Sequence, residues 1–137
     1  MSIPNKYIPP IRLDLPLSQI ITETVSGVSD IVLTMNETVT AFNAVTSDGL
    51  VANSSTVTHR NRIVGLALTD INAGFSGAVR IAGEVFNPSW SWTTGDRIFL
   101  NGAALSTTPP SSGFVQLIAT AKDTFTLILE IKQAVLL

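Results

Sequence analysis

From Arg62 to Ile131 the sequence falls into short apolar runs cut by glycine, asparagine and aspartate, and no long helical stripe appears anywhere along the chain. RIVGLALT (Arg62 to Thr69) is apolar on both faces, as a strand covered on two sides is, and INAG (Ile71 to Gly74) follows as a turn. In GAVRIAGEV the positions Val79, Ile81 and Val85 alternate with Arg80, Ala82 and Glu84, which predicts a strand with one buried face. RIFL and AALST on either side of Asn101-Gly102 read as a tight hairpin, because Asn-Gly readily takes the positive φ angles of a two-residue turn. GFVQLIATA and TFTLILEI flank Lys122-Asp123 as a last hairpin, with Phe125, Leu127, Leu129 and Ile131 on one face. Upstream, DIVLT and TVTAFNAV continue the β pattern, and Asp48-Gly49 marks a turn. About seven short strands without strand–helix alternation predict an all-β domain, a small antiparallel barrel or sandwich over residues 25–137.

Residues 1–24 differ from the rest. Pro4, Pro9, Pro10 and Pro16 fix their own backbone angles and push their neighbours towards extended conformations, so this stretch reads as an extended arm. Ile8, Ile11, Leu13, Leu15 and Leu17 give it more apolar side chain than a free tail carries, and they are the expected contacts of an arm docked on a neighbour. The surface of the domain points the same way. Charged residues make up 13% of the chain, against roughly 25% in an average soluble protein, and the mean hydropathy is +0.39. The most apolar segment, FTLILEI, is interrupted by Glu130 and is too short to span a bilayer, so the surplus apolar surface is expected to meet protein rather than membrane. A homo-oligomer, most simply a trimer, follows as an expectation. Proline punctuates the N-terminus where an export signal would need an uninterrupted apolar stretch, so synthesis in the cytoplasm is expected. A net charge of −2 offers no electrostatic footprint for nucleic acid, and with no cysteine there is neither a disulfide nor a thiolate metal site.

The sequence is poor in catalytic groups. His59 is the one histidine and no Asp or Glu lies within ten residues of it, which leaves a metal site without ligands nearby. HRNR (His59 to Arg62) has the charge to hold a phosphate or a carboxylate, but reads more simply as a solvated strand end or an intersubunit ion pair. No GxSxG elbow is present, and GFSG and GDR lack the spacing of a phosphate-cradling loop. Asp70, Glu84, Asp96 and Glu130 read as single charges at strand ends unless the fold gathers them. No cofactor is implied. Trp90 and Trp92, one residue apart in PSWSW, would face one side of an extended strand; an interface or a core plug is the expected role, and a stacking platform for a sugar the alternative.

The order of these elements, more than any one of them, carries a resemblance. Gly65, Leu66 and Ala67 end a strand; Gly77, Val79, Gly83 and Val85 space the next; Gly95-Asp96 turns into an apolar strand; Thr107 to Pro110 stop the pairing, and a closing strand pair follows. From about Ala44 to the C-terminus this resembles small virion proteins of tailed phages, of the capsid decoration (cement) and head-fibre type. It departs at Ala119, where such proteins often carry glycine, and the N-terminal arm has no counterpart. The resemblance implies a non-enzymatic component of the capsid exterior, a trimer seated on the major capsid protein. A tail-fibre or tail-adaptor domain that touches a host glycan, and a small cupin-like or hydrolase barrel, are the other readings. A site on the particle and a cleft with converging titratable groups would separate them.

Overall fold

The computed structural model describes residues 27–137, so the N-terminal arm with Ile8, Ile11, Leu13, Leu15 and Leu17 lies outside the described residues. The strands are β1 (Ser29–Thr34), β2 (Ala44–Thr46), β3 (Ile63–Ala67), β4 (Ser76–Phe86), β5 (Arg97–Asn101), β6 (Ala104–Ser106), β7 (Phe114–Val115), β8 (Leu117–Asp123), β9 (Thr126–Leu129) and β10 (Val135–Leu136). A short 3-10 turn, Val57–His59, precedes β3. The chain is all-β. Its main antiparallel sheet runs β2-β3-β4-β9-β8-β5-β6, with β1 also on β4, and curls into a half-barrel; β10 pairs with β7 as a separate ribbon.

β4 is the hub. It pairs with β1 from Ser76 to Ala82, with β3 at Val79 and Arg80, and with β9 from Gly83 to Phe86. Gly83 sits where β1 ends and β9 begins, at φ +93°, and a Cβ there would meet the Gly27 carbonyl oxygen. Only glycine fits both the backbone angle and the close approach. Gly65 on β3 meets the second condition alone: its missing side chain lets the backbone pass against the Arg80 carbonyl.

Two cores lie on opposite faces of β2 and β3. Ala44 and Leu66 face the larger core with Ile98, Leu100, Phe114, Ile118 and Leu127; Val45 and Ala67 face the smaller one with Met35, Val39, Ile71 and Val79. The two-faced apolar run RIVGLALT therefore has a simple cause, since each face of β3 is covered by a different core. Buried polar groups tie the loops to this frame. The Ser54 hydroxyl accepts a hydrogen bond from the Gly102 N–H at 2.7 Å, and the Ser54 carbonyl accepts from Phe114 at 3.1 Å. The Gln116 side chain donates to the Lys132 carbonyl at 2.8 Å and accepts from the Asn61 N–H at 3.3 Å, which holds the C-terminal segment against the loop before β3.

Two turns shift from their expected places. The β5–β6 hairpin pairs Asn101 with Ala104, so its turn residues are Gly102 and Ala103; Gly102 takes φ +64° and Asn101 stays in the ladder. A positive φ at the first turn residue alone is the mirror type that needs only one glycine. The β8–β9 hairpin pairs Asp123 with Thr126 and turns on Thr124-Phe125, not on Lys122-Asp123. Phe125 is consequently an exposed turn residue, while Leu127 and Leu129 hold the buried face. Upstream, TVTAFNAV yields only the three-residue β2, because Phe42 at φ +70° breaks the extended run.

On the outer face Arg80 donates to both oxygens of Asp30 at 2.8 and 3.1 Å and to the Glu84 carbonyl at 2.9 Å, across the β1–β4 register. The Arg80 hydrogen bonds hold the Asp30 carboxyl below its ordinary value of 3.8, outweighing the desolvation that raises it, and the guanidinium charge adds a lesser pull downward. A lowered folded value stabilises the fold above the unfolded one and is lost as pH falls through the folded one. Melts of the wild type and Asp30→Asn are therefore expected to differ most above the ordinary value of 3.8 and to converge as the solution is acidified below it. Gly65→Ala is expected to destabilise the chain by about 1–3 kcal/mol, because the added methyl must push β3 off β4; thermal unfolding followed by circular dichroism checks it.

Candidate interaction surface

The segment leaving β4 is irregular, not the extended strand expected for PSWSW, yet it brings the two tryptophans together. A turn at Pro88-Ser89 is closed by the Trp90 N–H on the Asn87 carbonyl at 3.1 Å, with the Ser89 N–H on the Asn87 side chain at 3.0 Å. The Asn87 N–H donates to the Phe125 carbonyl and the Trp92 N–H to that of Thr124, at 2.9 and 3.0 Å, so the segment is stitched to the β8–β9 turn. The indole centroids stand 5.9 Å apart, and Phe42 meets Trp90 edge-on at 5.4 Å. Both tryptophans are half-buried against the larger core. They plug one end of it and still present part of each ring outward.

Phe42, Trp90, Trp92 and Leu105, with the amides of Asn43 and Asn87, line a cleft of about 240 Å³. A bulky residue at φ +70° is uncommon, and here the Phe42 N–H bond to the Ala67 carbonyl at 2.6 Å and the Ala67 N–H bond to Asn43 at 3.0 Å hold the backbone in place. The Trp92 indole N–H is buried and has no acceptor among the described residues. Such a group carries a desolvation penalty of roughly 1–3 kcal/mol until something accepts from it. Sequence reasoning found Trp90 and Trp92 but missed Phe42, since nothing in TVTAFNAV except Asn43 signals a turn.

A second aromatic pair lies on the outside of the same end. Phe86, the last residue of β4, and Phe125 in the β8–β9 turn are 61% and 42% exposed, with centroids 6.2 Å apart and rings edge-on. Val32 on β1 and Phe75 just before β4 are exposed further along the sheet, at 77% and 67%. Val135, Leu136 and Leu137 expose a third apolar group beside β7. Apolar side chains held in water at this density are the mark of a contact surface.

Most of the polar residues singled out from the sequence are occupied locally. In HRNR, Arg62 pairs with Asp48 at 3.0 Å, the His59 Nδ1 accepts from the Asn53 N–H at 3.1 Å, and the Asn61 side chain accepts from the Ala134 N–H at 2.7 Å. The group is a loop clamp. Asp70 accepts from the Ala41 N–H, Asp96 from the Thr93 N–H, and Glu84 pairs with Lys122 at 2.8 Å. Among the described residues no three His, Asp or Glu side chains gather as a metal site, and no helix is long and apolar enough to cross a membrane.

Comparison with known proteins adds one finding: the family model described as phage cement protein matches residues 28–128. No curated protein and no solved structure matches the chain.

The two aromatic pairs are expected to respond differently to truncation. Trp92→Ala removes a ring packed on the core and is expected to destabilise the isolated protein by on the order of 2 kcal/mol, below the full cost of a completely buried aromatic. Phe86→Ser with Phe125→Ser is expected to leave the unfolding free energy within about 0.5 kcal/mol of wild type for each substitution, as exposed substitutions do. Differential scanning calorimetry of both variants checks the contrast.

Proposed function

Since the chain belongs to the phage cement protein family, whose members are capsid-associated structural proteins, we propose that it decorates the outside of a phage head as a homotrimer and clamps neighbouring copies of the major capsid protein. The family match over residues 28–128 carries this reading. The exposed Phe86–Phe125 pair and the low charged fraction support it, because they give the domain apolar area to bury against a partner. The work is non-enzymatic on this reading. Cementing needs area, shape and copy number, and the polar side chains near the aromatic end serve turns and ion pairs. A head repeats the same docking site many times, so modest contacts made by linked subunits add up to tight attachment.

Purified protein added to phage particles assembled without it is expected to bind the head and to raise the temperature at which the genome escapes. The Phe86→Ser, Phe125→Ser double variant, folded as wild type, is expected to bind more weakly by about tenfold or more for each anchor that behaves as a hot spot. Multi-angle light scattering tests the trimer. Immunogold label found on tails instead of heads would overturn the capsid reading in favour of a fibre or adaptor role, and a stable monomer at micromolar concentration would overturn the oligomer.

A further inference from the structure

We propose that the aromatic cleft is the docking site for the chain's own proline pair, Pro9-Pro10, presented between Ile8 and Ile11. The two halves of this contact are chemically complementary. Phe42, Trp90 and Trp92 offer flat apolar faces, and among the described residues no charged side chain lines the cleft and the buried Trp92 N–H has no acceptor. A proline pair prefers the polyproline II conformation, which makes no internal hydrogen bonds, so its rings can lie on aromatic faces while its carbonyls seek donors. The indole N–H is such a donor, and a carbonyl placed against Trp92 would supply the one bond this ring lacks. Because a proline pair favours this extended form by itself, little conformational entropy is lost on binding.

The path of the chain fits. Gly27, the first described residue, lies with its carbonyl against Gly83 of β4, and β4 runs on from there to Asn87 at the cleft. Residues 11–26 lie between Pro10 and Gly27, and extended they span up to about 50 Å. From Gly83 to Asn87 the strand covers only about 13 Å. The proline pair therefore reaches the cleft with slack, on its own domain or on a neighbour's. Covalent attachment gives it an effective concentration of order millimolar, so a small cleft suffices.

A sugar fits the same walls less well. The Asn87 side-chain oxygen already accepts from Ser89, no carboxylate of the described residues lines the cleft, and a sugar ring carries more hydroxyls than Asn43 and Trp92 can meet. The inference does not depend on the capsid reading, because it concerns a contact within the protein itself.

With no native cysteine, Lys6→Cys takes a single nitroxide label. In the full chain carrying ¹⁵N-tryptophan, the two indole N–H signals report on the cleft, and Trp92→Phe identifies which is which. The label is expected to broaden both indole signals away, with recovery when the nitroxide is reduced. Pro9→Ser with Pro10→Ser, in the labelled chain with unchanged circular dichroism, is expected to restore them. Mixing labelled ¹⁴N protein with unlabelled ¹⁵N protein reports whether the arm is exchanged between copies, and broadening in either the mixed or the singly prepared sample supports the docking. Indole signals at full intensity in every labelled sample would overturn it. So would broadening that survives the proline substitutions. Indole shifts on adding N-acetylchitotriose, with no effect of the label, would reassign the cleft to sugar.

Discussion

A strand has two edges, and β4 has three partners. It serves them by dividing its length: β1 and β3 take opposite edges at Val79 and Arg80, β9 begins at Gly83, and Gly83 has a backbone angle that L side chains rarely adopt. The rest follows from that division. A sheet that changes partners along one strand cannot stay flat, so it curls, and curling places β2 and β3 between two sets of apolar side chains. Each of those strands must then be covered on both faces, as AVT and IVGLA are. The close approach at Gly65 belongs to the same requirement, since β3 can form a thin wall between two cores only if its backbone packs directly on β4.

Dividing the interior in two has a consequence outside. Two small cores enclose less apolar side chain than one large core would, and strands of two to seven residues on either side of β4 leave many turns to carry the remainder. Phe75, Phe86 and Phe125 all sit at strand ends or in turns, where no second layer covers them. Burying one such side chain is worth roughly 1.5–3 kcal/mol, so the exposed aromatics hold free energy that association can recover. The ion pairs do little to offset this. Arg62–Asp48 and Lys122–Glu84 are about half exposed, and surface pairs of that kind contribute about 0–1 kcal/mol.

The sequence announced the class of fold through the spacing of its turns, and the doubly covered β3 through its unbroken apolar run. Both signals are local. The two hairpins were found but each was displaced, because the register of a hairpin is set by which side chains must face inward. In the β8–β9 pair a register shift between Ala121 and Asp123 moves the turn to Thr124-Phe125 and takes Phe125 out of the ladder, while Leu127 and Leu129 stay buried. Phe42 was illegible for a related reason: its left-handed backbone depends on hydrogen bonds with Ala67, far along the chain, and no local residue demands it. The tryptophans were legible as a pair by spacing alone, though what unites them is a proline turn and two bonds to the β8–β9 turn. Ile8, Ile11, Leu13, Leu15 and Leu17 lie outside the described residues, and their role as contacts is a proposal drawn from composition.

The Trp92 N–H is the feature that an economical fold would not leave. Phenylalanine would fill much of the same space without a donor, so a buried indole nitrogen with no acceptor among the described residues makes that part of the chain less stable on its own than it need be. Retaining such a group is reasonable when the domain is not the working unit. If a carbonyl from the arm or from a neighbouring copy completes the bond, the penalty is carried only by the unassembled chain, and each docking event removes it. The same holds for Phe86 and Phe125, whose exposure is a liability in solution and an advantage on a surface. A protein that works in many copies on a repeating lattice, as proposed here, can therefore be left incomplete as a monomer. Its missing contacts are what make the assembled state the more favourable one.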